Sequence, residues 1–257
     1  MLHRLQRSVT RKGLVVNTDK TQVVDFNTNN VSTVEDVFYD GKRIEKQDSF
    51  KYLGMFFDRR MNLTNSLNYA AKPFQAAICR IKEFAADNGL ADRPHAMLWI
   101  FKAYIISAGM YGSQVWSTPF LRADRVFENK LRIKHLCFLK RILKVKNSAV
   151  NWAVLRECAQ EPLQFYWFRA VGRFWNSMVR CNSNTLRSVL KADVALGNSG
   201  CDRCWSRQVK DAMLDLRSAN EFRSCLWSCN EINISKLASD VRFRHHAVWR
   251  EAEGQNP

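Results

Sequence analysis

Apolar positions along this chain change period near residue 60. Before it, β-branched and aromatic residues come in short runs cut by turn residues; after it, they recur every three or four positions. The first pattern predicts strands and the second amphipathic helices. "RLQRSVTRKG" predicts the tail of a helix closed by Gly13, since helices commonly end on a residue at positive φ. "LVVN" and "TQVVDFN" predict two short strands separated by "TDK". Asp40-Gly41 has the composition of a two-residue hairpin turn. "SFKYLGMFFD", residues 49–58, predicts one more strand, with alternating aromatics anchored in a core and Gly54 admitting a neighbouring backbone. Together these make a small antiparallel sheet.

The helical part opens with "NLTNSLNYAAKPFQAAICRIKEFAADNG", capped by Thr64 or Asn65 and stopped at Gly89. "DRPHAMLWIFKAYIISAG" predicts a helix capped by Asp92 with proline in its first turn. Over 122–146, Phe127, Leu131, Phe138, Ile142 and Val145 fall on one helical face. "PLQFYWFRAVGRFWNSMVRC" predicts an aromatic-rich helix, and "NTLRSVLKADVAL", "CDRCWSRQVKDAMLDL" and "NISKLASDVRFRHHAVWREAEG" predict shorter ones, with a break marked by Gly197 and Gly200. The predicted class is α+β, mostly α: a small antiparallel sheet followed by a helical bundle. Three regions are expected, 1–60, 61–180 and 181–257.

Charge sharpens this picture. The 257 residues carry a formal net charge of +16, which favours polyanions such as nucleic acid or acidic lipid. Segment 122–146 concentrates it, with nine Lys or Arg against two acids. Arg125, Lys130, Arg132, Lys134, Lys140, Arg141 and Lys144 would line the face opposite the apolar one, a row suited to phosphates without sequence specificity. A solvated helix face is the plainer reading of the same row. No window reaches the roughly 18 apolar residues of a membrane span; "AMLWIFKAYIISAGMYGSQVW" is interrupted by Lys102. No secretory signal precedes the eight cysteines, so an intracellular location, nucleus or cytoplasm, is expected and disulfides are not.

Candidate chemistry is sparse. No glycine-rich phosphate loop, G-x-S-x-G or H-E-x-x-H occurs. Asp25, Glu35, Asp36, Asp40 and Asp58 are the carboxylates near the strands, and no spacing pairs them as a two-metal site requires. Cys201-x2-Cys204 and Cys225-x3-Cys229, with His245 and His246 beyond, invite comparison with zinc sites. The x3 spacing, and Trp205 and Trp227 as core positions, favour buried thiols over zinc.

Three motifs in order carry a resemblance. Gly13, Leu14, Asn17, Lys20 and Thr21 match G-L-x-x-N-x-x-K-T; Phe50, Tyr52, Leu53 and Gly54 match F-x-Y-L-G; Tyr111, Gly112 and Trp116 match Y-G-x-x-x-W. This set resembles the downstream part of reverse transcriptases of LINE-type (non-LTR) retrotransposons, well over 1–180 and loosely beyond. The resemblance implies the end of a polymerase palm, then a helical thumb binding RNA/DNA template–primer duplex. It implies a primer grip at Phe50, Tyr52, Leu53 and Gly54, and Lys20 as a general acid near the incoming nucleotide in an intact polymerase. The family's metal-binding aspartates lie upstream of these motifs, so no cofactor is expected in this chain, Mg2+ belonging to the intact polymerase, and no activity alone. The family's zinc knuckle is not matched. A second expectation is a basic helical interaction protein docking a protein partner, or RNA, through a palm surface left open and apolar.

Overall fold

The computed structural model describes the backbone of residues 2–26, 35–60, 63–122 and 129–254, and side chains as far as residue 247. The protein is mostly helical, with a few short strands, in the α+β class. It divides into two compact units, Met1–Ser66 and Leu67–Pro257.

The first unit begins with α1 (Leu2–Arg11), which ends before Gly13 as expected. "LVVN" forms no strand; Val15 in it is 94% exposed. The strands are β1 (Gln22–Val23), β2 (Phe38–Tyr39), β3 (Lys42–Arg43), β4 (Glu45–Lys46), β5 (Ser49–Tyr52) and β6 (Met55–Asp58). Among the described residues they make three separate pairs rather than one sheet: β1 with β4 parallel, β2 with β3 and β5 with β6 antiparallel. Asp40 and Gly41 turn β2 into β3 at φ 51° and 73°. Ile44 is 2% exposed and lies at the centre of this unit, its N–H bonded to the Val37 carbonyl at 2.8 Å.

Residues 49–58 are not one strand but a hairpin. Phe50 opposes Phe57 and Tyr52 opposes Met55. Leu53 and Gly54 form the two-residue turn at φ 46° and 82°. The glycine supplies the left-handed conformation that this turn needs, so the sequence expectation of a close backbone approach is corrected. The Phe50 and Phe57 rings stack at 5.4 Å, and Phe26 meets Phe50 edge-on at 6.0 Å. Tyr52 and Leu53, at the tip, are 58% and 67% exposed, not anchored in a core.

The second unit is a helical assembly. α2 (Thr64–Asp87) starts at Thr64 itself, and its first turn is tied within the first unit by the Ser66 hydroxyl, which accepts the Phe56 N–H at 3.0 Å. α3 (Pro94–Ile100), a π-helical turn (Phe101–Ile105) and α4 (Ile106–Met110) run in succession. Arg93, not Asp92, is the N-cap of α3; Asp92 accepts from Lys144 at 2.5 Å instead. α5 (Ser113–Trp116), α6 (Lys130–Ile142) and α7 (Asn151–Glu157) follow. α8 (Leu163–Arg180), α9 (Asn184–Asn198), α10 (Trp205–Met213), α11 (Ala219–Trp227) and α12 (Ile234–Gly254) complete it.

α8 is the hub. Trp167, Phe168, Val171 and Trp175 on it are fully buried, and it packs against α5, α6, α9 and α12. The Trp175 indole donates to the Asn230 carbonyl at 2.8 Å, and the Asn176 amide clasps both backbone groups of Ile232 at 2.7 and 2.8 Å. Helices after residue 180 therefore belong to the same unit as those before it. "CDRCWSRQVKDAMLDL" supplies α10 alone, and α11 lies beyond it in a stretch where the periodicity predicts no helix.

Candidate nucleic-acid interface

α6 is shorter than the 122–146 segment expected to be helical. Asn129 caps it, its side-chain oxygen accepting the Arg132 N–H at 2.8 Å. This cap fixes which residues face inward: Leu131, His135, Phe138 and Leu139 are buried. Val145 lies beyond the helix and is 42% exposed; Phe127 and Arg125 fall outside the described residues.

The expected cationic row divides accordingly. Lys130, Arg141 and Lys144 are exposed and Lys134 is half-buried. Arg132 and Lys140 are buried, at 8% and 7% exposure, and leave the row. The physical reason is angular: with the apolar face nearer half the helix, positions three residues beyond Asn129 and one beyond Leu139 rotate inward. Lys140 Nζ donates to the Asn147 carbonyl at 2.6 Å, tying down the loop after α6. Burial brings the Arg132 pKa down to about 10.

What remains is joined by α2. Lys134 Nζ donates to Gln75 Oε1 at 2.7 Å, which fixes α6 beside α2. Further along, the Lys82 ammonium is pushed below its ordinary pKa, first by partial burial and then by the Arg141 guanidinium. The two like charges thus act on each other across α2 and α6. Sequence reasoning missed Lys82; it lies seven positions after Gln75, two turns along one face of α2, a signal visible only once Gln75 is known to meet α6. Lys144 is ion-paired with Asp92, which it holds below its usual carboxylate range.

The motifs of the first unit have local structural roles. Asn17 caps a short 3-10 turn, Thr18–Lys20, its side chain accepting the N–H groups of Asp19 and Lys20 at 3.1 Å each. The Thr21 hydroxyl donates to the Asn17 carbonyl at 2.8 Å. Lys20 projects from this turn and is exposed. In the second unit, Gly112 sits at φ 67° between α4 and α5, and the Trp116 indole donates back to the Tyr111 carbonyl at 2.9 Å. Trp116 is 1% exposed and meets Trp167 edge-on at 5.3 Å. Tyr-Gly-x-x-x-Trp is therefore a locked corner.

The cysteine pairs do not gather into one site. Among the described residues, no group of three or more His, Cys, Asp or Glu side chains is placed to hold a metal. Trp227 is not a core residue: it is 56% exposed, with Lys210 and Arg223 over its ring at 5.3 and 5.5 Å. Among the described residues, no helix is long and apolar enough to cross a membrane. Compared with protein-family models, curated proteins and solved structures, the chain matches none.

Proposed function

We propose that this chain binds nucleic-acid duplex, of the RNA–DNA hybrid type, through the cationic face shared by α6 and α2. The observation that carries it is the Lys134 to Gln75 bond, which sets α6 beside α2 while Lys130 and Arg141 on α6 stay exposed. The Arg141 charge also acts on half-buried Lys82 of α2, a repulsion that a polyphosphate relieves. Exposed Lys130 and half-buried Lys134, one turn apart on α6, extend the same face. Backbone and shape readout of a hybrid suits such cations, which carry no base code. In the wider reading the chain is the primer-grip and thumb part of a LINE-type reverse transcriptase, supported by the ordered motifs around Lys20, Tyr52 and Trp116. No chemical step is assigned to these residues.

The test is anisotropy titration of a labelled RNA–DNA hybrid at several salt concentrations. Binding should weaken steeply with salt, and Arg141→Gln or Lys130→Gln should each reduce the logarithmic salt slope by about one. Salt-independent binding, or slopes unchanged by both variants, refutes this reading.

A second reading rests on the first unit. Leu14, Val15, Phe38, Tyr52 and Leu53 are all more than half exposed, an apolar display suited to a protein partner. A complex that survives nuclease treatment and is lost in Leu53→Asp favours it over the duplex.

A further inference from the structure

The corner between α9 and α10 holds two cysteines that duplex binding does not use. α9 closes with the Cys201 N–H on the Leu196 carbonyl at 3.1 Å, after Gly200 turns the chain at φ 100°. Cys204 follows as the N-cap of α10, its N–H on the Cys201 carbonyl at 3.3 Å. An i to i+3 bond of this kind holds the two Cα atoms within about 7 Å, and a disulfide spans about 4.4–6.8 Å. Cys201 is exposed, whereas Cys204 is 7% exposed.

Their surroundings give the two sulfurs different roles. The neighbouring Cys204 thiol, then the Arg203 N–H, hold the Cys201 pKa below the ordinary thiol value. Burial, then the neighbouring Cys201 thiol and the charge of Asp193, push Cys204 up to about 12. Asp193 is fixed there by accepting the Ser206 N–H at 2.8 Å. A thiolate therefore forms at the accessible sulfur and is withheld from the covered one.

We propose that Cys201 and Cys204 are a dithiol pair for thiol–disulfide exchange with small disulfides, Cys201 attacking and Cys204 resolving. The Cys201 thiolate attacks one sulfur of a disulfide RSSR; the S–S bond breaks, RS⁻ leaves, and a mixed disulfide forms. Cys204 gives up its proton and attacks the Cys201 sulfur, expelling the second RS⁻. The protein loses two electrons and two protons to become the 201–204 disulfide, and RSSR gains them as two RSH. The exchange is reversible, which fits a reducing compartment better than a structural disulfide does.

Glutathione disulfide is the probe. The full chain is equilibrated with oxidised and reduced glutathione, quenched by alkylation and mapped by peptide mass spectrometry. Wild type should form the 201–204 disulfide, and Cys204→Ser should accumulate glutathione on Cys201. Cys201→Ser should leave Cys204 unmodified. Before oxidation, Cys201 should alkylate about tenfold faster than exposed Cys79 or Cys137. Equal alkylation of these three thiols, or no glutathione on Cys201 in Cys204→Ser, overturns the proposal. If Cys204→Ser does not fold, the wild-type alkylation ratio decides alone.

Discussion

Leu53 is the residue least suited to its place. It sits at φ 46° in a two-residue hairpin turn, where a side chain with a Cβ costs about 1–2 kcal/mol in the left-handed region. Asparagine tolerates that conformation better. Leu53→Asn should stabilise the hairpin by about 1 kcal/mol, read as a higher denaturant midpoint for residues 35–60 by hydrogen exchange. A lower midpoint would mean that the exposed leucine packs on something that the turn geometry does not explain. His135 and His245 make a second argument at this scale. His135 is 1% exposed and stacks on Phe101 at 4.9 Å; His245 is 4% exposed. Burial first, then Arg132 for His135 and Arg244 and Arg132 for His245, brings both pKa values down to about 3. Between the ordinary value near 6.5 and about 3, the unfolded chain binds protons that the folded chain refuses. Stability therefore falls as pH drops below about 6.5, by up to about 1.4 kcal/mol per pH unit for each imidazole. Urea unfolding at pH 5 and pH 7 should show this loss, and His245→Gln should shrink the difference between the two. An equal difference in both proteins would remove His245 from the account.

At the scale of elements, α6 separates two kinds of cation. Lys140 holds the Asn147 carbonyl from a buried position, while Arg141 next to it is exposed and its charge acts on Lys82. Lys140→Met should remove the charged donor that ties down the Asn147 carbonyl and cost about 1.5–3 kcal/mol of stability, while the salt slope of hybrid binding stays unchanged. Arg141→Gln should do the reverse, relieving Lys82 and lowering the slope. If both substitutions change the slope alike, the division of the row by burial is wrong. α4 offers a packing test: a Cβ on Gly109 would lie 2.6 Å from the Phe74 ring. Gly109→Ala should cost about 1–3 kcal/mol as overpacking, measured as a drop in Tm. The elements were largely legible in the sequence because amphipathic period and caps are local: Gly13, Asp40-Gly41 and the aromatic run of α8 sit where the pattern puts them. The hairpin at 49–58 was not, because alternating aromatics read the same on one strand as on two, and Leu at a turn position hides the turn. Arg132 and Lys140 were misplaced because a helical wheel does not say how wide the buried face is. Lys82 was invisible because its partner lies on another helix, and contacts between helices leave no mark in either sequence alone.

For the whole molecule, the two units differ in what holds them together. Among the described residues of the first unit, Ile44 and Leu63 are the buried apolar side chains, and the strands are two to four residues long in three separate pairs. Isolated two-stranded pairs are marginal in water. The second unit instead has a continuous core along α8, with Trp116, Trp167, Trp175, Phe101, Phe168 and Phe222 fully buried. Burying aromatic side chains of this size contributes about 1.5–3 kcal/mol each before entropy is subtracted. Native-state hydrogen exchange should therefore show the amides of β2–β6 opening at far lower free energy than those of α8 and α12. Mild denaturant should release the first unit while the second retains its helical signal and its Trp175 to Asn230 bond. Because the α6–α2 cationic face lies in the second unit, hybrid binding should survive that partial unfolding, whereas capture of a protein partner through Leu53 and Val15 should not. Equal protection in both units, or loss of hybrid binding together with β5 and β6, would place the working surface in the first unit and count against the α6–α2 assignment.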